Sequence, residues 1–219
     1  MTIKAVAWDI DGTLVDSEPL HLRALLATCT EYGVDISDLS DDRFVGVNLH
    51  GVWEVLKERF PGNLSRERWI SVLNAHYCRG ARGVRPIPHA AETVRALAAM
   101  GLSQVAISNS NRVIVDANLK ALGVAELMRF SLSLDDVPVG KPDPLPYHMA
   151  MERLGLRPAE MLAVEDSPSG IASACAAGVP VAGLAASPVD VAAADKTITT
   201  LGEVVTIVTA ANGAKPAQK

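Results

Sequence analysis

The sequence contains few aromatic residues and few cysteines. Trp, Tyr and Phe make up 4% of its 219 residues, and its 3 cysteines are Cys29, Cys78 and Cys175. The cysteines lie far apart and form no Cys-x-x-Cys pair, which argues against a disulfide framework or a zinc knuckle and fits a reducing compartment. Cys29 and Cys175 fall among apolar positions of expected helices, so we expect both to serve in packing.

Positive charge is also scarce. The sequence contains 20 Lys and Arg and 25 Asp and Glu, so the formal net charge is -5. No broad cationic surface can bind a nucleic acid backbone, so we expect no nucleic acid partner. No apolar run approaches the roughly 18 residues of a membrane span without a charged residue, Gly or Pro, and we find no secretory signal. We therefore expect no membrane partner, a cytoplasmic location, and a monomer or a homodimer.

Hydrophobic residues are plentiful, at 49% of the chain, which is enough for a sizeable core. Short β-rich segments alternate with stretches of helical periodicity, an order that predicts a doubly wound α/β fold with a parallel sheet covered by helices. The expected strands are residues 3–8, 105–108, 161–164 and 180–184. Several helical stretches end in a Gly followed by an aliphatic residue, which is typical of a left-handed C-terminal cap. The glycines in question are Gly33, Gly101, Gly123, Gly155 and Gly178.

Between residues 17 and 83 the strand signal disappears and only helical periodicity remains. The segment is bounded by the loop after the first strand and by a stretch rich in Gly and Pro, so two connections would join it to the rest of the chain. We predict an inserted helical subdomain, with Trp53 and Trp69 in its core.

Two carboxylates directly follow the first expected strand, in the segment Asp9-Ile10-Asp11-Gly12-Thr13. Open α/β sheets bind ligands at the carboxyl ends of their strands, and Gly12 permits a tight backbone turn there. Because clustered carboxylates repel one another, the arrangement calls for a cation, and hard oxygen ligands suit Mg²⁺.

Three further polar segments fall at the expected ends of other strands. They supply a hydroxyl and an amide, a cation, and two more carboxylates. Each alone is ordinary turn or helix-start chemistry, but together they match the needs of a phosphoryl group in transfer, which requires cationic and hydroxyl donors, a metal and a nucleophile in line. The segments are Ser108-Asn109-Ser110, Gly140-Lys141-Pro142 and Glu165-Asp166-Ser167.

With these four motifs in order, the chain resembles the haloacid dehalogenase superfamily of phosphotransferases, in the subgroup with a small helical cap inserted after the first strand. The resemblance covers about residues 3–200. It implies a Rossmann-like core formed by residues 1–16 and 84–219 and a helical cap domain at residues 17–83. It also implies a Mg²⁺-dependent enzyme that acts on a small phosphorylated metabolite. The sequence departs from the usual pattern of the superfamily at His89, which follows Pro88 at a position where a glycine is common.

The resemblance assigns catalytic roles to the first two aspartates. Asp9 would be the nucleophile that takes the phosphoryl group as an aspartyl phosphate, and Asp11 the general acid and base. True dehalogenases of the superfamily lack an acid at the position of Asp11, so halide displacement is disfavoured. The substrate and phosphate ligands implied are Ser108, Asn109, Lys141, Thr13 and His21.

The resemblance also implies a set of metal ligands. The Asp9 carboxylate, the Asp11 backbone carbonyl and Asp166 would bind Mg²⁺, and Glu165 would support the site directly or through water. A carboxylate attacks a phosphate dianion only when nearby positive charge cancels the repulsion, which is the reason that Asp9 needs a metal and Lys141.

Sugar-phosphate phosphatases and β-phosphoglucomutases resemble the chain most, since they share the pattern of residues 16–21. In the mutases, a histidine at the position of His21 couples cap closure to the acid–base aspartate, although a surface or hinge role fits such a histidine equally well. Mutases place an arginine where Leu49 stands, to bind the second phosphate of the substrate, so Leu49 favours hydrolysis. Residues that could replace the missing cation are His50, Arg43 and Arg79.

The favoured function is therefore that of a phosphatase that hydrolyses a small phosphorylated metabolite, most simply a sugar phosphate. A β-phosphoglucomutase-like isomerase is the first alternative. A non-catalytic binding protein of the same fold is the second, and it leaves the joint presence of Asp9, Asp11, Lys141 and Asp166 unexplained.

Overall fold

The computed structural model describes residues 2–40, 44, 49–185 and 190–213, and of His50 only the backbone. Arg43, the segment 46–48 and the polar tail beyond residue 213 lie outside the described residues. The chain divides into two compact units. The first contains Met1–Asp16 and Arg85–Lys219, and the second is Ser17–Val84.

The strands of the described residues are β1 (Ala5–Trp8), β2 (Val15–Asp16), β3 (Arg85–Pro86), β4 (Ser103–Ile107), β5 (Phe130–Leu132), β6 (Met161–Glu165), β7 (Val181–Leu184) and β8 (Lys196–Ile198). The helices are α1 (Glu18–Glu31), α2 (Leu49–Leu56), α3 (Arg66–Gly80), α4 (Ala90–Ala99), α5 (Arg112–Leu122), α6 (Leu145–Leu154), α7 (Pro168–Ala176) and α8 (Glu203–Ala211). None of these helices combines the length and the apolar character needed to cross a bilayer.

A six-stranded parallel sheet forms the centre of the first unit, in the order β5-β4-β1-β6-β7-β8. The chain proceeds from β1 to β4 and β5 on one side, and then through β6, β7 and β8 on the other. This reversal next to β1 opens a crevice at the carboxyl ends of β1, β4 and β6. The expected doubly wound α/β core is confirmed.

Both faces of the sheet are covered by helices, as buried parallel strands require. On one face, Tyr147 of α6 and Ile171 of α7 pack into a cluster with Ala7 and Ile107 of the sheet. On the other face, the buried Gln104 side chain accepts a hydrogen bond from the Trp8 indole and donates one to the carbonyl of Val94 in α4, both at 2.9 Å.

The regular secondary structure among the described residues of the second unit is entirely helical. Helices α1 and α3 pack together, with the His21 and Tyr77 rings 4.5 Å apart. Trp69 is fully buried, and its ring lies 5.4 Å from that of Trp53. The expected place in the core is confirmed for Trp69, whereas Trp53 is half-buried and packs against the Trp69 and Phe60 rings.

A two-stranded antiparallel ribbon marks the two connections between the units. It pairs β2 with β3, so that Val15 faces Pro86 and Asp16 faces Arg85, and the Arg85 guanidinium lies 2.6 Å from the Asp16 carboxylate. The sequence pattern did not predict this ribbon, nor the strands β5 and β8. Each of these elements has only two or three residues, which is too short for a period-two pattern to be detected.

The cysteine predictions have different outcomes. Cys29 is buried in α1, as expected, but the packing role expected for Cys175 is wrong, because this residue is exposed on α7. The apolar stripe of α7 instead buries Ile171 and Ala174.

All five glycines expected to end helices have a positive φ, between 64° and 80°. His89 has a φ of 67° as well, although it carries a side chain. It precedes the first residue of α4, and this left-handed conformation costs a residue with a Cβ about 1 kcal/mol. The conformation gives a physical reason for the glycine that is common at this position in the superfamily that the chain resembles.

Replacing His89 by Gly should raise the free energy of unfolding by about 0.5–1 kcal/mol, because relief of this strain outweighs the added flexibility of the unfolded chain. Denaturant titration measures the change. His89→Ala keeps the Cβ and serves as the control, with no gain expected. Equal stabilities of the Gly and Ala variants would show that the backbone at this position is unstrained.

Candidate active site

The four motif segments meet at the carboxyl edge of the sheet. Asp9 directly follows β1, Ser108 follows β4, and Glu165 is the last residue of β6. Lys141 reaches the same edge from the loop before α6. The neighbouring positions of β1, β4 and β6 in the sheet therefore bring distant parts of the sequence to one place.

The buried Lys141 ammonium links two carboxylates. Its Nζ lies 2.8 Å from Oδ1 of Asp9 and 2.6 Å from Oε1 of Glu165. Lys141 and Asp9 are each 8% exposed and Glu165 is 0% exposed. The Tyr147 hydroxyl also donates to Oε1 of Glu165. Such an ion-pair network resists opening, because removal of one partner leaves a buried charge uncompensated.

Burial and like charge shift the pKa values of this cluster upward. Burial raises the pKa of Asp9 against the opposing effect of Lys141, and it raises the pKa of Glu165 to about 8. Burial, together with the charge of Asp9, raises the pKa of Asp166 to about 7. Burial alone would lower the pKa of Lys141, but the two carboxylates that it contacts raise it overall. The site thus contains more carboxylates than the lysine can neutralise.

The donor set fits a hard divalent cation such as Mg²⁺. Asp9, Glu165 and Asp166 each offer an oxygen atom, and these atoms lie within 4.8 Å of one another. Among the described residues, Oδ2 of Asp9 and Oε2 of Glu165 are buried without a hydrogen-bond partner. A cation would compensate such oxygens, and carboxylate oxygen is the ligand type that Mg²⁺ prefers.

Two glycines make room for these carboxylates. A Cβ at Gly12, whose φ is 85°, would lie 2.0 Å from Oδ2 of Asp166. A Cβ at Gly170, in the first turn of α7, would lie 1.8 Å from Oε2 of Glu165. Both contacts are far below van der Waals distance, so neither position accepts a larger residue without displacing a carboxylate.

Asp11 is held by side chains from α5 and from the loop after β4. Its Oδ2 accepts hydrogen bonds from Ser108 Oγ at 3.2 Å and Ser110 Oγ at 2.8 Å. Its Oδ1 accepts one from Asn118 Nδ2 at 3.2 Å. The Ser108 hydroxyl in turn accepts from the backbone N–H of Ser110, at 2.9 Å.

Thr13 and Asn109 contact other site residues. The buried Thr13 hydroxyl donates to Oδ1 of Asp166 at 3.2 Å. The Asn109 carboxamide bonds to both the N–H and the carbonyl of Lys141, each at 2.8 Å. In the structure, Asn109 therefore fixes the loop that carries Lys141, while its role as a phosphate ligand stays a prediction.

The predicted residues of the helical segment lie in the second unit. His21 is on α1 and Leu49 is the first residue of α2. Arg79 is exposed in the last turn of α3, where its Nε donates to the Ala75 carbonyl at 3.2 Å. The His50 side chain is outside the described part of the chain.

Three residues at the site have no role that the sequence predicted. They are Tyr147, Asn118 and Ser110, of which Ser110 lies within a motif segment but was given no function of its own. Asn118 carried a detectable signal, since it is a polar residue within the apolar stripe of α5. The sequence contains no signal for the contact between Tyr147 and Glu165, because this contact joins a helix to a strand 18 residues away.

The chain is similar in sequence to known proteins. The family model of haloacid dehalogenase-like hydrolases matches residues 3–178. A phosphoglycolate phosphatase of Yersinia pseudotuberculosis is 33% identical over 190 residues, covering 83% of this chain and 81% of the relative. The pyrophosphatase PpaX of Oceanobacillus iheyensis is 29% identical over 186 residues, covering 84% of this chain and 85% of the relative.

Solved structures share the fold. The crystal structure of CbbY from Rhodobacter sphaeroides in complex with xylulose 1,5-bisphosphate superposes with a TM-score of 0.81. It is 22% identical, and the match covers 92% of this chain and 96% of that protein.

Mg²⁺ should stabilise the protein more at about pH 8 than at about pH 5, because protons compete with the cation for the raised-pKa carboxyls Glu165 and Asp166. At about ten times its dissociation constant, Mg²⁺ should raise the melting temperature by roughly 3–6 °C at the higher pH. A much smaller rise is expected at the lower pH. Thermal unfolding with and without Mg²⁺ measures both values.

Without metal, the free energy of unfolding should decrease as the pH rises, whereas the stabilisation by Mg²⁺ should increase. The pKa of Asp166 rises from 3.8 to about 7 on folding, so the folded protein binds more protons than the unfolded chain and loses stability as the pH rises towards 8. Asp166→Asn removes this charge, so the variant should melt above the wild type at about pH 8 and gain less from Mg²⁺. An equal Mg²⁺ shift in both proteins would contradict the assigned site.

Proposed function

Because the chain belongs to the haloacid dehalogenase-like hydrolase family, we propose that it is a Mg²⁺-dependent phosphatase of a small phosphorylated metabolite, a sugar phosphate in the simplest case. Its general activity is that of a phosphoric monoester hydrolase. One observation carries the proposal: Asp9 is buried, Lys141 holds one of its oxygens, and its other oxygen has no hydrogen-bond partner among the described residues.

Asp9 is the proposed nucleophile. The Lys141 ammonium holds the carboxylate of Asp9 through Oδ1, and the carboxylate would attack phosphorus from this fixed position. The bond from phosphorus to the leaving oxygen breaks as the bond to Asp9 forms, and the product is an aspartyl phosphate with a free alcohol. Water then attacks phosphorus, which releases inorganic phosphate and restores the carboxylate.

Positive charge and hydroxyl donors make this attack possible. Lys141 and the Ser108 hydroxyl would hold the phosphoryl oxygens and offset their charge. Asp9, Asp166 and Glu165, with the Asp11 backbone carbonyl, would hold Mg²⁺, which supplies further charge compensation. Burial of the cluster strengthens each of these interactions relative to water.

Asp11 is the proposed acid and base. As the ester bond breaks, its carboxyl group would protonate the leaving oxygen, and the resulting carboxylate would take a proton from the attacking water. Ser108, Ser110 and Asn118 hold the carboxyl group at the edge of the sheet from which Asp9 also projects.

The proposal extends to the type of reaction, the role of the helical segment and the cellular compartment. The relatives above are named as phosphatases of different phosphorylated compounds, and Leu49 supplies no charge for a second phosphate, so we favour hydrolysis over mutase chemistry. We assign the helical segment 17–83 the role of a cap domain that selects the leaving group. The free cysteines are consistent with action in the cytoplasm.

Phosphate release across a panel of phosphorylated compounds tests the proposed function. The panel contains sugar phosphates, 2-phosphoglycolate, pyrophosphate and β-glucose 1-phosphate, each with and without Mg²⁺. We expect Mg²⁺-dependent release from a subset. Conversion of glucose 1-phosphate to glucose 6-phosphate without net release would establish the mutase, and inactivity on the whole panel would favour a binding protein.

Asp9→Asn should lower turnover at least about 10³-fold while the protein stays folded, because an amide cannot form the phosphoenzyme. Asp116→Asn is the control, since Asp116 is exposed on α5 and pairs with Arg112 at 3.0 Å. It should retain activity within about twofold. Wild-type turnover in the Asp9→Asn protein would contradict the nucleophile assignment.

A further inference from the structure

Helix α5 carries a buried amide where an apolar residue would pack. Its buried residues are Ile114, Val115, Asn118, Leu119 and Leu122. Asn118 is 0% exposed, so its carboxamide is removed from water. A buried amide is destabilising unless hydrogen bonds compensate for its lost hydration, and an apolar residue at this position would have no such cost. Stability alone therefore does not account for Asn118.

The Asn118 side chain reaches the proposed acid–base residue. Its Nδ2 donates to Oδ1 of Asp11 at 3.2 Å, across 107 positions of sequence. Ser110 Oγ donates to the other carboxylate oxygen at 2.8 Å. Donors on both oxygens restrict rotation of the carboxylate plane, which a single hydrogen bond would leave free.

The two donors come from different elements. Ser110 belongs to the loop after β4, while Asn118 belongs to the second half of α5, a helix that is anchored by its apolar face. Asp11 itself lies in the loop that follows β1. A hydrogen-bond donor in the body of a packed helix restrains the Asp11 side chain more than a donor on a loop does, because the helix itself moves less.

We propose that Asn118, together with Ser110, is a positioning residue that fixes the carboxyl group of Asp11 for proton transfer. The inference rests on the proposed function, in which the Asp11 proton passes to the leaving oxygen as the phosphorus–oxygen bond breaks. Neither residue supplies a proton. They act through Asp11, because displacement of an acid by about 1 Å can lower a rate roughly 10²-fold.

The dependence of the rate on the leaving group distinguishes positioning of Asp11 from a purely structural role. A structural role would affect the hydrolysis of all substrates equally. A sugar alkoxide is a poor leaving group and needs its proton during bond breaking, whereas p-nitrophenolate leaves without one. Loss of Asp11 positioning should therefore slow the hydrolysis of a sugar phosphate far more than that of p-nitrophenyl phosphate.

The experiment compares kcat and KM of Asn118→Leu and Ser110→Ala on two substrates, p-nitrophenyl phosphate and the sugar phosphate hydrolysed fastest in the panel. We expect kcat/KM on the sugar phosphate to fall about tenfold or more and kcat/KM on p-nitrophenyl phosphate by less than about threefold. The ratio kcat/KM reports the first phosphoryl transfer, in which the leaving group departs, and excludes hydrolysis of the aspartyl phosphate, which is common to both substrates. Ser110→Thr retains the hydroxyl and should recover activity to within about threefold of the wild type.

Ser133→Ala is the matched control. Ser133 is a buried serine after β5, and its hydroxyl donates to Asp136 at 2.5 Å, so its loss perturbs a similar hydrogen bond away from Asp11. In the Ser133→Ala protein, we expect the ratio of kcat/KM on the sugar phosphate to kcat/KM on p-nitrophenyl phosphate to equal that of the wild type. Equal losses of kcat/KM on both substrates in the Asn118→Leu and Ser110→Ala proteins, or unchanged kcat/KM on both, would overturn the proposal.

A double-mutant cycle tests the contact independently of activity. Melting temperatures are measured for the wild type, Asn118→Leu, Asp11→Ala and the double variant. Because the two side chains form a hydrogen bond, the effects of the single changes should not add. Additive effects would overturn the proposal. A wild-type protein that is inactive on every ester would instead refute the proposed function, and the cycle would still decide whether Asn118 holds Asp11.

Discussion

The structure of the active site depends on one electrostatic constraint, the concentration of carboxylates around the buried Lys141 ammonium. Lys141 contacts Asp9 and Glu165 directly, and Asp166 lies close enough to share a cation with both. Burial raises the pKa values of these acids, so the cluster is costly in its ionised form without a further positive charge. That cost identifies a functional site, because a fold selected for stability alone would not assemble such a group.

The fold meets the constraint through its topology. Strand β1 lies between β4 and β6, so the polar residues that follow these strands meet at one edge although they are far apart in sequence. Close approach is possible because Gly12 and Gly170 leave space for the carboxylates of Asp166 and Glu165. The apolar interior of the sheet supplies the rigidity, and the loops at its edge supply the chemistry.

Much of this arrangement could be predicted from the sequence. Polar motifs that directly follow apolar segments indicate both where the strands end and which residues lie at the edge of the sheet. The alternation of elements predicted the α/β core, and the glycines predicted the helix ends. What escaped prediction were contacts between distant elements, such as those of Tyr147 with Glu165 and of Asn118 with Asp11. Periodicity records which face of a helix is buried, but not which side chain meets it, and strands of two or three residues contain too few positions to show a period.

The proposed mechanism requires that Asp9 carries the phosphoryl group during turnover. Rapid acid quench of the enzyme with substrate and Mg²⁺, followed by borohydride reduction and peptide mass spectrometry, tests this requirement directly, because reduction of an acyl phosphate converts aspartate to homoserine. We expect homoserine at residue 9 only when substrate is present. Conversion at another carboxylate, or none during steady turnover, would contradict the mechanism.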